Sequence, residues 1–556
     1  MITTKPKTNG EPIMLREFYD DFPTFDVVRD IIIDGAERGG SKRQFVFKDK
    51  NKKEHEKSFK EVFEDECALG AYIRSQGVDS GLKVAILSEN CYMWNVIFYT
   101  LQVNCDICIP LDTGLSKEDI AAQLSDCTAH VLFYSSAQTE KAEYVKNICS
   151  ESLKLVFCVD ECEKFIEAGK SLPDSYRNEL LNQSTSPESL AAIVYTSGTT
   201  GKTKGIMLSN KNICSDVNAS LHAITGGHGI GFLPLNHTYS WVTGLFASLV
   251  RSEWGYICTS LKSIYSDIKE YKPYQFAAVP MMVEMIYKHI ISTAKRNGTY
   301  EKLMSGIECS RNFMLSGYDA RREMFSDIHE AFGGNLEYIL CGGAYLSPDI
   351  EQFMYDIGIQ IITGYGLTEC SPCVTCSRRY DYKIGSVGLV LDCCEIKIAD
   401  PDENGIGEIC VKGDNVMMGY YGDEKATEEV FNDGWLHTGD CGYIDSEGFL
   451  FFIGRKKNLI ILSNGKNVSP EEIEAKLTAE IDYIKEVAVC EKDNKICAYV
   501  YLDEAARPDA KDTIYEDIKA VNRLLSDFKR IDKVIIRDTE FIKTTSLKIK
   551  RQEIEN

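Results

Sequence analysis

Apolar residues in this chain gather in short runs, separated by stretches where they recur every three or four positions. Residues 83–87 (KVAIL), 107–111 (ICIPL) and 131–134 (VLFY) are too short for helices, and each predicts a buried strand. Residues 95–103 have the apolar density of a buried helix. Ser116 stands where an N-cap belongs, just before KEDIAAQL. Strands alternating with helices predict a mostly parallel, doubly wound sheet. The pattern returns at 275–279 (QFAAV), 312–316 (NFMLS), 338–341 (YILC) and 360–363 (QIIT), each read as a strand. Ser347-Pro348 predicts a helix start with proline at its first position.

The texture changes twice. From about residue 385, short β segments (CEIKIA, GEICVKG) are separated by turn residues (PDENG), which predicts a β-rich subdomain over about 385–454. After Gly454 a basic turn leads to a strand, a glycine turn and a helix. There Ser469-Pro470-Glu471-Glu472 has the spacing of a capping box. The last hundred residues read as β-α-β-β-α-β, ending in a basic, β-prone tail at 541–551 (FIKTTSLKIKR). The expected fold class is α/β. A large N-terminal domain of doubly wound sheets spans 1–454, including the β-rich subdomain, and a small α/β domain spans 455–556.

Length and composition fit this plan. The 556 residues leave room for two to four domains, and 44% hydrophobic with 26% charged residues is ordinary globular composition. A formal net charge of −22 repels a phosphate backbone, so nucleic-acid binding is not expected. The 21 cysteines follow a polar N-terminus with no signal-like apolar core, which predicts reduced thiols and a cytoplasmic location. The longest apolar stretch, 241–258, is broken by Arg251 and Glu253 and reads as a buried helix and strand. No transmembrane segment is expected; peripheral membrane contact is left open.

The strongest chemical signal is residues 195–205, YTSGTTGKTKG. It follows AAIV, a strand, and brings together three glycines, five hydroxyls and two lysines. Glycine lets backbone N–H groups approach a ligand, hydroxyls donate, and lysine supplies charge, as a triphosphate tail requires. It is not a Walker A sequence, because Thr196 stands where that motif needs glycine.

In this loop and in the segments that follow, the chain resembles the adenylate-forming superfamily, most of all its bacterial long-chain fatty-acyl-CoA synthetases. Further segments recur in the superfamily's order. The resemblance implies that Thr196, Ser197, Gly198, Thr199, Thr200, Gly201 and Lys204 hold phosphate. It implies that His237 of LPLNH borders the acyl pocket, and that Gly342, Gly343 and Ala344 lie against adenine. In GYGLTE, Tyr365 and Gly366 lie by the nucleotide, Thr368 contacts phosphate, and Glu369 helps to hold magnesium. A carboxylate suits that hard cation. Asp440 of WLHTGD is expected on the ribose hydroxyls, with Arg455 beside it. Lys457 occupies the hinge about which the small domain swings, and Lys548 enters the site during adenylation.

The chain departs from the superfamily pattern at three positions. Thr203 replaces a common proline, Leu547 a common glycine, and Asn458 a common aspartate. The run Cys370, Cys373, Cys376 has ligand-like spacing but overlaps a segment bordering the acyl pocket, so it is read as packing rather than a metal site.

The expected activity is ATP- and Mg2+-dependent activation of a carboxylic acid through acyl-AMP, followed by transfer to coenzyme A. The resemblance further implies that LNHTYSW corresponds to the segment where amino-acid adenylation domains place an aspartate to hold the α-amine; none is present, so a fatty acid is favoured over an amino acid. Loading of an acyl carrier protein is the alternative acceptor reading. A catalytically silent acyl- or nucleotide-binding protein is the alternative of another class.

Overall fold

The computed structural model describes residues 22–197, 203–462, 467–493, 495–505, 507–543 and 549–554, together with the two-stranded pair Lys7–Thr8 and Glu11–Pro12. Two large mixed sheets form the bulk of the molecule. The first has seven strands, in the order Gly419–Tyr420, Thr203–Ser209, Leu190–Ser197, Ile107–Pro110, Lys83–Leu87, Val131–Tyr134, Leu155–Cys158. From Leu190–Ser197 to Leu155–Cys158 the pairings are parallel. The pairings of Thr203–Ser209 with Leu190–Ser197 and with Gly419–Tyr420 are antiparallel.

The second sheet has nine strands. Six run parallel at its centre: Gln360–Gly366, Tyr338–Cys341, Gln275–Ala278, Gly229–Gly231, Gly255–Ile257 and Arg43–Lys48. Cys373–Cys376 and Leu389–Val390 extend one side and Glu54–Ser58 the other, all antiparallel.

The helix Tyr92–Val103 lies between the sheets, and 11 of its residues are buried. Its apolar residues occupy every face, as a helix without a solvent side requires. Tyr92 and Tyr99 contact the Phe45 ring in the nine-stranded sheet. Gln102 donates to Ala191 O in the seven-stranded one. Phe98 packs on Trp241 and Phe246. Truncating such a ring to alanine costs about 3–5 kcal/mol.

An antiparallel five-stranded sheet follows, with Trp435–Ile444 paired to Gly407–Gly413, Phe431–Asn432 and Leu450–Arg455, and Cys394–Ala399 at the edge. Beyond it, Ile484–Lys492, Lys495–Leu502 and Lys533–Arg537 form a three-stranded sheet with helices Pro470–Glu480 and Ala510–Asn522. The apolar cluster of this last unit draws only on residues from Ile460 onward.

Two sequence expectations are corrected. Residues 312–316 are not a strand; they end the helix Tyr300–Leu315. Its buried face is Leu303, Ile307 and Ser310, a helical spacing, while Phe313 and Leu315 face solvent. The capping box at Ser469 is half formed. Ser469 Oγ accepts from the Glu472 N–H, but the Glu472 carboxylate turns to Lys529 at 2.6–2.7 Å. An ammonium partner outcompetes the neutral backbone N–H that a box would offer.

Candidate active site

The hairpin of Leu190–Ser197 and Thr203–Ser209 pairs Lys204 with Thr196. Residues 198–202, with Gly198, Thr199, Thr200 and Gly201, lie outside the described residues, as does the Ser197 side chain. Lys204 is described. Its Nζ stands 4.5 Å from the centre of the Tyr420 ring, a cation–π distance. Tyr420 arrives there because Gly419–Tyr420 pairs with this hairpin, Tyr420 opposite Ile206. Its hydroxyl donates to Glu369 Oε1 at 3.1 Å. One tyrosine thus joins the predicted phosphate lysine to the predicted metal carboxylate. Burial raises the Tyr420 hydroxyl above the ordinary tyrosine range, with Glu369 adding to the shift. It therefore stays a donor.

Glu369 and Thr368 sit on the 3-10 turn Thr368–Cys370, which follows the strand Gln360–Gly366. The Met417 N–H fixes that turn by donating to Glu369 O at 2.8 Å. Gly366 admits the following chain, since a Cβ there would stand 2.0 Å from Pro372 O.

A second cluster lies beside the first. The Tyr365 hydroxyl donates to Asp440 Oδ2 at 2.9 Å, and the Tyr365 ring stacks on Phe452. Asp440 pairs with Arg455 across neighbouring strands, and Arg455 Nε lies 2.8 Å from Asp440 Oδ1. Asp440 is only 2% exposed, so both donors act on a buried carboxylate. Burial and the Asp440 charge keep Tyr365 protonated far above the usual range. The Arg455 charge lies close enough to Tyr420 to ease slightly the upward shift of its hydroxyl.

Gly342, Gly343 and Ala344 follow the strand Tyr338–Cys341. Gly343 has φ +88°, a left-handed conformation that suits glycine. The Tyr239 hydroxyl lies 3.9 Å from where a Gly342 Cβ would sit, which brings the LPLNH segment alongside this turn. Behind that segment lies a cavity of about 100 Å³. Leu233 and Leu235 line it; the half-buried His237 is not among its lining residues.

The turn after Arg455 carries Lys457, which is exposed. Partial desolvation, then the Arg455 charge, hold its ammonium below the ordinary lysine value. Asn458 next to it donates from Nδ2 to Glu471 Oε1 at 3.2 Å, tying the turn to helix Pro470–Glu480. The last unit meets the larger body through Lys288 donating to Ile484 O at 2.6 Å, Lys476 with Asp349 at 2.8 Å, and Lys295 with Asp482. Lys548 lies outside the described residues.

The cysteine run is packed rather than convergent. Cys370 and Cys376 are buried, and burial raises all three thiols. Among the described residues no group of three His, Cys, Asp or Glu side chains is arranged to hold a metal. No described helix is long and apolar enough to cross a membrane.

Tyr420 and Tyr239 escaped the sequence reading. The only local signal for Tyr420 is its place in the aromatic pair after Gly419, and its partners depend on strand pairing across 216 positions, Lys204 to Tyr420.

Residues 34–421 match the AMP-binding enzyme family, and residues 457–556 match the AMP-binding enzyme C-terminal domain. The chain is 30% identical over 444 residues to long chain acyl-CoA synthetase 6, peroxisomal, of Arabidopsis thaliana, spanning 73% of this chain and 62% of that protein. It is 30% identical over 467 residues to the long-chain-fatty-acid–CoA ligase FadD15 of Mycobacterium tuberculosis, spanning 79% and 76%. Among solved structures, the anthranilate CoA ligase AuaEII in complex with anthranoyl-AMP superposes with a TM-score of 0.78 at 19% identity, covering 96% of this chain and 97% of that one. The Bacillus subtilis o-succinylbenzoate coenzyme A synthetase, in complex with ATP and magnesium, gives 0.70 at 23% identity, covering 95% and 99%. These two likenesses concern the fold. The chain belongs to the AMP-binding enzyme family.

Proposed function

We propose that this protein is an AMP-forming acid–thiol ligase that converts a long-chain fatty acid to its coenzyme A thioester. The observation that carries the reading is the meeting of Lys204, Tyr420 and Glu369 beside Tyr365, Asp440 and Arg455. One cluster offers a cation and a carboxylate, as a metal-bound polyphosphate requires. The other offers a buried carboxylate, which suits two ribose hydroxyls. The relatives' names supply the substrate class and the acceptor.

In the first step the fatty carboxylate attacks the α-phosphate of ATP, and pyrophosphate leaves. In the second a thiol attacks the acyl carbon, and AMP leaves. Positioning and charge neutralisation supply most of such catalysis. Lys204 takes charge from the phosphates, and Asp440 with Arg455 fixes the ribose. Thr196, Ser197, Gly198, Thr199, Thr200 and Gly201 complete the phosphate cradle, with Gly342, Gly343 and Ala344 under the adenine. Glu369, a hard oxygen donor beside Lys204, would hold magnesium, which neutralises phosphate charge when bound. Lys548 belongs to the first step.

We place the domain division at the turn after Arg455, with Lys457 as its pivot. The separate apolar cluster from Ile460 onward supports this. All 21 cysteines are unpaired, which supports a reducing compartment such as the cytoplasm.

The decisive experiment supplies ATP, magnesium and a panel of carboxylic acids and follows pyrophosphate release, then thioester formation with coenzyme A or a carrier protein. Long-chain fatty acids with coenzyme A are expected to complete both steps. No pyrophosphate with any acid would refute the proposal.

A further inference from the structure

The cavity behind Leu233 and Leu235 has apolar walls, Ile230, Phe232 and Phe276 among them. Part of its polar lining holds the walls together, and Glu253 lies at the lining too, kept above the ordinary carboxylate range by burial. Asn90 donates to Leu233 O and accepts from the Leu235 N–H. Ser240 Oγ donates to Pro234 O, Thr243 Oγ1 to Tyr239 O, and Gln275 Nε2 to Gly227 O. Asn95 and Tyr99 each keep a buried polar atom outside such bonds. Asn95 is 1% exposed and lies in the largely apolar helix Tyr92–Val103. Its Nδ2 donates to Cys91 O, four residues back, at 3.1 Å. Its Oδ1 is buried with no hydrogen-bond partner among the described residues.

That bond to Cys91 O settles the amide orientation. Turning the amide over would set oxygen against the Cys91 carbonyl oxygen, so the nitrogen faces the helix and the oxygen is left over. A buried acceptor without a donor is costly, and a leucine at this position would pack as well without that cost. Tyr99, four residues further along the same helix face, also lines the cavity, and its buried hydroxyl, near Gln44, likewise makes no hydrogen bond among the described residues. The wall therefore carries a polar spot within an apolar surround.

We infer that the cavity takes an aliphatic carboxylic acid bearing a hydroxyl on its chain, with Asn95 Oδ1 as the acceptor that reads that hydroxyl. The inference rests on the acyl-activating role proposed above and narrows its substrate class. An unsubstituted alkyl chain would displace any water from Asn95 and leave the oxygen bare. A hydroxyl at the right carbon would satisfy it. One such contact is worth about ten- to a hundredfold in discrimination.

The test uses the full-length protein and saturated fatty acids of several lengths, each paired with its mid-chain and terminal hydroxy derivatives. Isothermal titration calorimetry reads binding without ATP, and pyrophosphate release reads kcat/KM with it. In the wild type, one hydroxylated isomer is expected to bind about tenfold or more tighter than its parent acid. In Asn95→Leu that preference should vanish while the parent acid binds as well or better. Equal binding of parent and hydroxylated acids by the wild type would overturn the inference without recourse to any variant. So would a preference that survives Asn95→Leu. Selective binding without pyrophosphate release would leave the inference standing and refute acyl activation instead.

Discussion

The Tyr365 hydroxyl and the Asp440 carboxylate, 75 residues apart in the chain, share a 2.9 Å hydrogen bond in the buried centre of the site. Tyr365→Phe removes a donor from a largely buried carboxylate. We expect unfolding stability to fall by about 1–3 kcal/mol and the KM for ATP to rise roughly tenfold. Denaturant titration and pyrophosphate exchange measure the two effects. A KM equal to wild type would separate Asp440 from the nucleotide.

Tyr420 can be dissected because its ring and its hydroxyl have different partners. Tyr420→Phe keeps the ring beside Lys204 and loses the donor to Glu369, so the magnesium concentration for half-maximal activity should rise several-fold. Tyr420→Leu loses the ring contact as well, a further ~0.5–1 kcal/mol. Superimposable magnesium titrations for wild type and both variants would take Tyr420 out of the site.

Lys548→Ala is expected to abolish acyl-AMP formation while sparing thioester formation from supplied acyl-AMP. The two half-reactions are assayed separately. Equal loss in both would contradict a role confined to adenylation.

Asn458→Asp sets a second carboxylate against Glu471, where an amide now donates. Repulsion should loosen the turn from helix Pro470–Glu480 by about 1 kcal/mol and speed its proteolysis, less so at high salt. An unchanged cleavage rate at low salt would contradict this.

Glu351 gives the fold a pH signature. It is 2% exposed, accepts from the Gly385 N–H at 2.8 Å, and has its carboxyl pushed by burial from 4.5 up to about 8. The unfolded chain gives up this proton near pH 4.5 and the folded chain near 8. Its contribution to stability is therefore complete below about 4.5 and is lost as pH rises through 8. Glu351→Gln keeps an acceptor for Gly385 without a charge. The fall in stability from pH 5 to 8 should shrink by on the order of a few kcal/mol, with Asp106, also raised to about 8, retaining its share. Urea unfolding across that range measures the difference, and parallel curves would refute it.

Much of this architecture was legible because the strands at 83–87, 107–110, 131–134 and 338–341 are apolar runs bounded by turns or helices. Residues 312–316 misled because a short apolar run looks the same in a strand and at a helix end. Only the spacing of Leu303, Ile307 and Ser310 upstream reveals the helix. The resemblance to the adenylate-forming superfamily pointed to Lys204, Glu369 and Asp440, because the segments that carry them recur in that superfamily's order. Tyr420 and Asn95 were not visible. Their significance lies in which atoms oppose them, and that depends on strand register and on which bonds their neighbours have already made.

The contacts described between the small C-terminal unit and the main body run through Lys288, Lys295 and Lys476. Lys288 donates to a carbonyl, whereas Lys295 and Lys476 hold carboxylates at a partly wetted boundary, and that attraction is weakened by dissolved ions. The ionic strength of the surroundings therefore acts as a dial on how firmly that unit is seated. A rise in salt would favour its release while leaving both apolar interiors intact.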